Sequence, residues 1–98
     1  MERATIINRI RSQEAAIRAE GVTHVSIFGS RARGDAQDTS DLDVLIQIAP
    51  DCRFSLFNLS GVGLIIEEAT GFPAQIVLER SAPADFKVRI SDDLAPVF

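Results

Sequence analysis

The run Asp41-Leu42-Asp43-Val44-Leu45-Ile46-Gln47-Ile48 constrains this chain more than any other. From Leu42 to Ile48 it is almost continuously apolar, the pattern of a strand covered on both faces and placed centrally in its sheet. Pro50 ends it. Alternate residues of a strand share a face, so Asp41 and Asp43 project together while Leu42, Val44 and Ile46 face the opposite layer. Two carboxylates about 6–7 Å apart on a strand repel one another, and burying them without counter-charge is costly. A cation between them removes both objections. Hard oxygen donors at this spacing suit Mg²⁺, which keeps several waters and completes its shell with substrate phosphates. Taken alone, an Asp-x-Asp triplet is most simply a solvated strand end at which Ser40 and Asp41 finish a turn.

The preceding segment shifts that balance. Val22 to Phe28 reads as a strand ending in Gly29-Ser30. Gly29 permits a tight turn, and Ser30 suits the N-cap of a short helical turn through Arg33, which Gly34 then closes. Such a turn offers free N–H groups and the Ser30 hydroxyl to phosphate oxygens, with Arg31 and Arg33 as cationic donors. A capped loop with solvated arginines is the plainer reading of either feature by itself. A phosphate-type turn and a metal-type pair closing two successive strands point together to phosphoryl or nucleotidyl transfer.

The remaining segments organise without linkers or repeats. Glu2 to Ala19 reads as one helix with Ile6, Ile10 and Ile17 on a stripe, stopped by Gly21. Ser55 to Ala69 has helical spacing in Phe57, Leu64 and Ile65, although Gly61 and Gly63 weaken the propensity. Gly71 closes that segment, Gln75–Leu78 supplies a third strand, and Pro83 fits the first turn of a final helix over Ala84 to Ile90. The order αββαβα gives an α+β fold, with helices on one face of a small mixed sheet of three or slightly more strands.

A chain of 98 residues has room for one core, so residues 1–98 are expected to form a single domain. No apolar run is long enough to span a bilayer, and the N-terminus lacks the apolar core of a signal peptide. A lone Cys52 excludes an internal disulfide and fits a reducing cytoplasm. The formal charge of −4 argues against general nucleic-acid binding, which relies on a basic surface. Arg3, Arg9, Arg11 and Arg18 read as the solvated face of the first helix, and His24 as a surface or structural residue. Leu94, Pro96, Val97 and Phe98 make an apolar tail that either packs back on the core or docks on a partner.

Gly29-Ser30, ten intervening residues and Asp41-Leu42-Asp43 resemble the signature of the minimal nucleotidyltransferases of the DNA polymerase beta-like superfamily. Ala32-Arg33-Gly34 and Ser40-Asp41 match the usual wording of that stretch, and the similarity runs from about Val22 to Ala95-Pro96-Val97. Many members are antitoxins in two-gene modules with a HEPN-type toxin. The resemblance implies that the Gly-Ser turn binds a nucleoside triphosphate, ATP for antitoxin members. It also implies that Asp41 and Asp43 bind two Mg²⁺ ions with a third carboxylate, and that AMP passes to a tyrosine of the partner toxin. So small a domain has no second lobe to grip base and acceptor, so the other half of the site is expected from the toxin or a second copy of the chain.

The phrase that should carry the third carboxylate is Gly71-Phe72-Pro73-Ala74-Gln75-Ile76-Val77-Leu78, which puts Gln75 in the acidic slot. Its amide can offer a carbonyl oxygen to a metal but brings no charge and cannot act as a base. Glu79 has the same strand parity, yet two strand steps displace it by about 13 Å. Glu67 and Glu68 are other distant candidates. The resulting readings are an active transferase, a non-catalytic module that neutralises its toxin by binding, and a sensor that only holds Mg-NTP.

Overall fold

The computed structural model describes the whole chain, Met1–Phe98. Its sheet is organised around β2 (Leu42–Ile48), which has a neighbour on each side as its apolar run requires. β1 (Val22–Phe28) lies antiparallel to it, with Ile27 opposite Val44 and Phe28 opposite Asp43. β3 (Ala74–Leu78) lies parallel on the other side, with Gln75 opposite Asp43 and Val77 opposite Leu45. A short β4 (Ala95–Pro96) borders β1, completing the order β3-β2-β1-β4. The apolar tail therefore packs back: Val97 N–H donates to the Val25 carbonyl at 2.8 Å, and Phe98 packs against the core.

Strand alternation divides the residues between two faces. On the inner face, Val25, Ile27, Leu42, Val44 and Ile46 meet Ile6, Ile10 and Ile17 of the N-terminal helices and Val62 and Ile66 of the long helix. The expected single N-terminal helix is two: α1 (Arg3–Arg11) and α2 (Glu14–Ala19). The Ser12 hydroxyl donates back to the Arg9 carbonyl at 2.6 Å, a local bond that competes with helix continuation. The bend keeps Ile17 fully buried beside Ile6 and Ile10. A five-residue α3 (Gly29–Arg33) follows β1, as the sequence suggested.

α4 (Leu56–Thr70) starts from a reciprocal cap in which Ser55 and Asn58 exchange side-chain and backbone bonds, and it ends at Gly71 in the left-handed conformation. Its helical period is as read, but its buried stripe is Val62, Ile66 and Thr70. Phe57 and Leu64, two of the residues whose spacing marks the helix, face solvent, Phe57 at 89% exposure. The helix carries two apolar stripes and periodicity alone does not choose between them. The final helix, α5 (Ala84–Ile90), is set apart from this layer. Its Phe86 and Ile90 gather with Phe28, Leu45 and Val77, residues of the opposite strand parity, and so cover part of the outer face. Phe86 meets Phe28 edge-on, centroids 5.7 Å apart.

The arginines of α1 and α2 are tethers more than a solvated face. Arg3 donates to the Ala32 carbonyl, Arg11 to that of Val97 and Arg18 to that of Thr23, and Arg18 also lies over the Phe98 ring. Long stems on a helix surface can reach across to unpaired carbonyls while covering apolar area. No helix is long and apolar enough to cross a membrane.

Candidate active site

The outer face of the sheet, at the end where β1 leaves and β2 and β3 begin, collects the residues singled out above. β1 must turn sharply after Phe28, and Gly29 takes a φ of +75°, which L side chains rarely adopt. A second reason for glycine is steric: a Cβ at this position would run into the Asp43 carboxylate. The Asp43 side chain thus lies directly over the Gly29 backbone. Changing Gly29 to Ala is expected to cost about 1–2 kcal/mol of stability, the usual cost of a left-handed L residue. Because it displaces Asp43, divalent-metal affinity should also fall by about tenfold, read by calorimetric titration.

Ser30 lies inside α3 instead of capping it. The helix is preceded by Phe28, without a side-chain cap. The Ser30 carbonyl accepts from Gly34 and Asp35 N–H at 2.9 and 3.1 Å, and Gly34 closes the turn at φ +89°. This leaves the first amides of α3 without helical partners.

The two arginines of the turn part company. Arg31 is buried, and its guanidinium donates to the carbonyls of Gln37 and Ser40, with a longer contact to Asp38, while stacking 3.6 Å over the Phe72 ring. The expectation that it serves phosphate is corrected by this geometry: Arg31 pins the 34–41 loop that delivers Asp41. Arg33 is exposed and pairs with Asp93 at 2.8 Å and with Asp35 at 3.1 Å. Bonds to those carboxylates raise its pKa further above its already high ordinary value. Asp93 escaped the sequence reading because it lies sixty positions away in the turn after α5. Phe72 escaped it because the carbonyls that fix Arg31 above its ring belong to a non-local loop.

Asp43 is half-buried and Asp41 is exposed. Burial is the main cause that raises the Asp43 pKa above the ordinary carboxylate value. The charge of Asp41 adds to it and that of Arg33 opposes it. A raised folded-state pKa means that the native state holds this proton more tightly than the unfolded chain. The associated stability is present below the unfolded pKa and is lost as pH rises through the folded one. Without metal, Asp43→Asn is therefore expected to raise Tm at neutral pH by about 2–4 °C, relief of a partly exposed like-charge contact being worth about 0.5 kcal/mol. Thermal denaturation across pH checks this, and the gap should close on acidification through the carboxylate range.

Gln75 stands in register with Asp43, and its Nε2 donates to Asp41 Oδ2 at 3.2 Å. The three residues therefore share one face and one strand end. None of the other acids named from sequence joins them. Glu67 accepts from the Ala74 N–H at 3.0 Å, Glu79 sits in a 3₁₀ turn (Glu79–Ser81) paired with Lys87, and Glu68 is exposed on α4. No cluster of three metal-ligating acidic, histidine or cysteine side chains exists. The donor set of two carboxylates and one amide that can rotate its oxygen inward suits one hard divalent cation. A second cation would find one charge fewer than a carboxylate in place of Gln75 would provide.

A family model for the nucleotidyltransferase domain matches residues 7–96. A protein of Methanocaldococcus jannaschii described as a protein adenylyltransferase is 32% identical over 77 residues, 79% of this chain and 81% of that protein. A solved structure described as a minimal nucleotidyltransferase superposes with a TM-score of 0.81 at 27% identity, covering 98% of this chain and 96% of that one. A chain of the solved structure described as the tri-AMPylated Shewanella oneidensis HEPN toxin in complex with MNT antitoxin shares the fold, with a TM-score of 0.64 at 13% identity over 94% of this chain and 71% of that one. On the matching family model and these relatives, this chain belongs to the nucleotidyltransferases.

Proposed function

We propose that this chain transfers AMP from Mg-bound ATP to a tyrosine hydroxyl of a HEPN-type toxin, acting as the antitoxin of a two-gene module. The observation that carries the reading is the meeting of the Gly29-Ser30 turn with Asp41 and Asp43 at one end of the sheet, Gln75 beside them. The likeness to a protein described as an adenylyltransferase and to solved toxin–antitoxin complexes supports the donor and the partner class.

The free amides of α3 and the Ser30 hydroxyl would hold the terminal phosphates. Asp41 and Asp43 would hold Mg²⁺, which when bound orients the α-phosphate and offsets its charge. Arg33 is exposed and its pair with exposed Asp35 is weakened by solvent screening, which leaves its guanidinium within reach of the triphosphate. The tyrosine oxygen attacks the α-phosphorus and forms a new P–O bond. The bond to the bridging oxygen breaks and pyrophosphate leaves with its electron pair. Gln75 cannot take the phenolic proton, which passes to water. The acidic balance of the chain favours encounter with a basic toxin.

One observation favours a second reading. Gln75 donates to Asp41 and satisfies that carboxylate without any metal, as in a module that silences its partner by binding alone. Intact-mass spectrometry of the toxin incubated with this protein and Mg-ATP separates the two. A gain of one or more AMP units is expected. An unmodified toxin that is nonetheless bound and silenced would overturn transfer.

A further inference from the structure

β3 is an edge strand, and its free side is apolar and unprotected. The Leu42 N–H donates to the Pro73 carbonyl, which sets the ladder so that Gln75 and Val77 turn their backbone groups toward β2. Ala74, Ile76 and Leu78 turn theirs outward, where no strand follows. The outward N–H of Ala74 is taken by Glu67, but Ile76 and Leu78 keep theirs for solvent. Natural edges are usually blunted by charge, proline or a bulge. This one is bordered instead by an open groove of about 370 Å³, lined by Ile76, Val77, Leu78, Ala82, Pro83 and Phe86, with only the Ser81 hydroxyl as a polar side chain.

The groove begins one residue beyond the candidate active site. Gln75, in register with Asp43, precedes Ile76 directly, and Val77 lies two residues further along the same face. Two strand residues span about 6–7 Å. A polar small-molecule acceptor such as a sugar would find almost no hydrogen-bonding side chain here. An extended peptide would find both an unpaired backbone ladder and an apolar slot, the two requirements of strand addition.

We infer that this groove is the acceptor subsite. An extended segment of the acceptor protein pairs with the free edge at Ile76 and Leu78. It seats an apolar side chain against Val77, Pro83 and Phe86 and so presents a hydroxyl two positions away beside Gln75. The assignment rests on the transferase reading above and adds what that reading leaves open: how the acceptor is held, and a pattern of an apolar residue two positions from the modified one.

The test uses two fluorescein-labelled nonapeptides with a central tyrosine, identical except for isoleucine or lysine at both positions two residues from it. Binding is followed by fluorescence anisotropy in Mg²⁺ and AMP-PNP. The measurement needs no turnover, so failure of this subsite is distinguished from failure of transfer. The isoleucine peptide is expected to bind at least tenfold tighter than the lysine peptide, and N-methylation of its alternate amides should abolish binding. Ala82→Trp, which fills the groove away from Asp41, Asp43 and Gln75, should weaken peptide binding by at least tenfold and leave AMP-PNP binding unchanged. Equal binding of both peptides, or indifference to N-methylation, overturns the proposal. So does weakened AMP-PNP binding in folded Ala82→Trp, which would make the groove a nucleobase site. A wild-type dimer that Ala82→Trp dissolves in sedimentation would assign the edge to a second copy and overturn it equally.

Discussion

Replacing Asp43 by alanine is expected to lower AMP transfer by about a thousandfold, a loss of about 4 kcal/mol of transition-state stabilisation. The size follows from the position of the residue. Asp43 is the half-buried member of the acidic pair, it lies over the Gly29 backbone, and it stands in register with Gln75. Its carboxylate is thus the one group within reach of the turn, the partner aspartate and the third-ligand slot. Removing it takes away half of the charge available to a cation and leaves Asp41 exposed with only the Gln75 amide beside it. The fold should survive, because Asp43 contributes no apolar burial and its charge is a cost in the absence of metal. Single-turnover transfer from radiolabelled ATP, with a melting curve as control, checks both halves of the statement. If the variant still silences a toxin in cells as well as wild type does, silencing is by occlusion and the transfer reading fails.

The parts of this molecule that a sequence reveals are those fixed by local physics. β1 and β2 are legible because their short apolar runs are bounded by residues with strong positional meaning, glycine after the first and paired aspartates at the head of the second. α5 is legible because proline opens it. What escaped depends on distant partners. Phe57 and Leu64 have the same helical period as the buried stripe of α4, and only the sheet decides which stripe is covered. Arg31 reads as a phosphate ligand beside Gly29-Ser30, but the carbonyls that claim it belong to a loop whose path no pattern announces. β4 is two residues long and one of them is proline, so its existence depends wholly on the open edge of β1. The break between α1 and α2 comes from one hydroxyl turning back on its own helix, a choice that Ser12 also has in any loop.

Gln75→Asp is the substitution from which a gain is expected. Gln75 occupies the register position beside Asp43, and its amide spends a donor on Asp41. An aspartate there would add the missing charge to the donor set and provide an acceptor for the phenolic proton. General-base help is worth about a hundredfold at its lower bound, so a rise in transfer of about a hundredfold is expected. The change also has a cost that identifies its cause. Three carboxylates at one end of the sheet repel, so without metal the variant should melt a few degrees below wild type at neutral pH. Mg²⁺ should restore it by more than it stabilises wild type. Gln75→Asn, which shortens the amide without adding charge, should produce neither the gain nor the metal-dependent recovery. If Gln75→Asp leaves transfer unchanged while its Mg²⁺ affinity rises, the added carboxylate completes a metal site that the reaction does not use. The acceptor proton would then leave by a route that never needed a third acid.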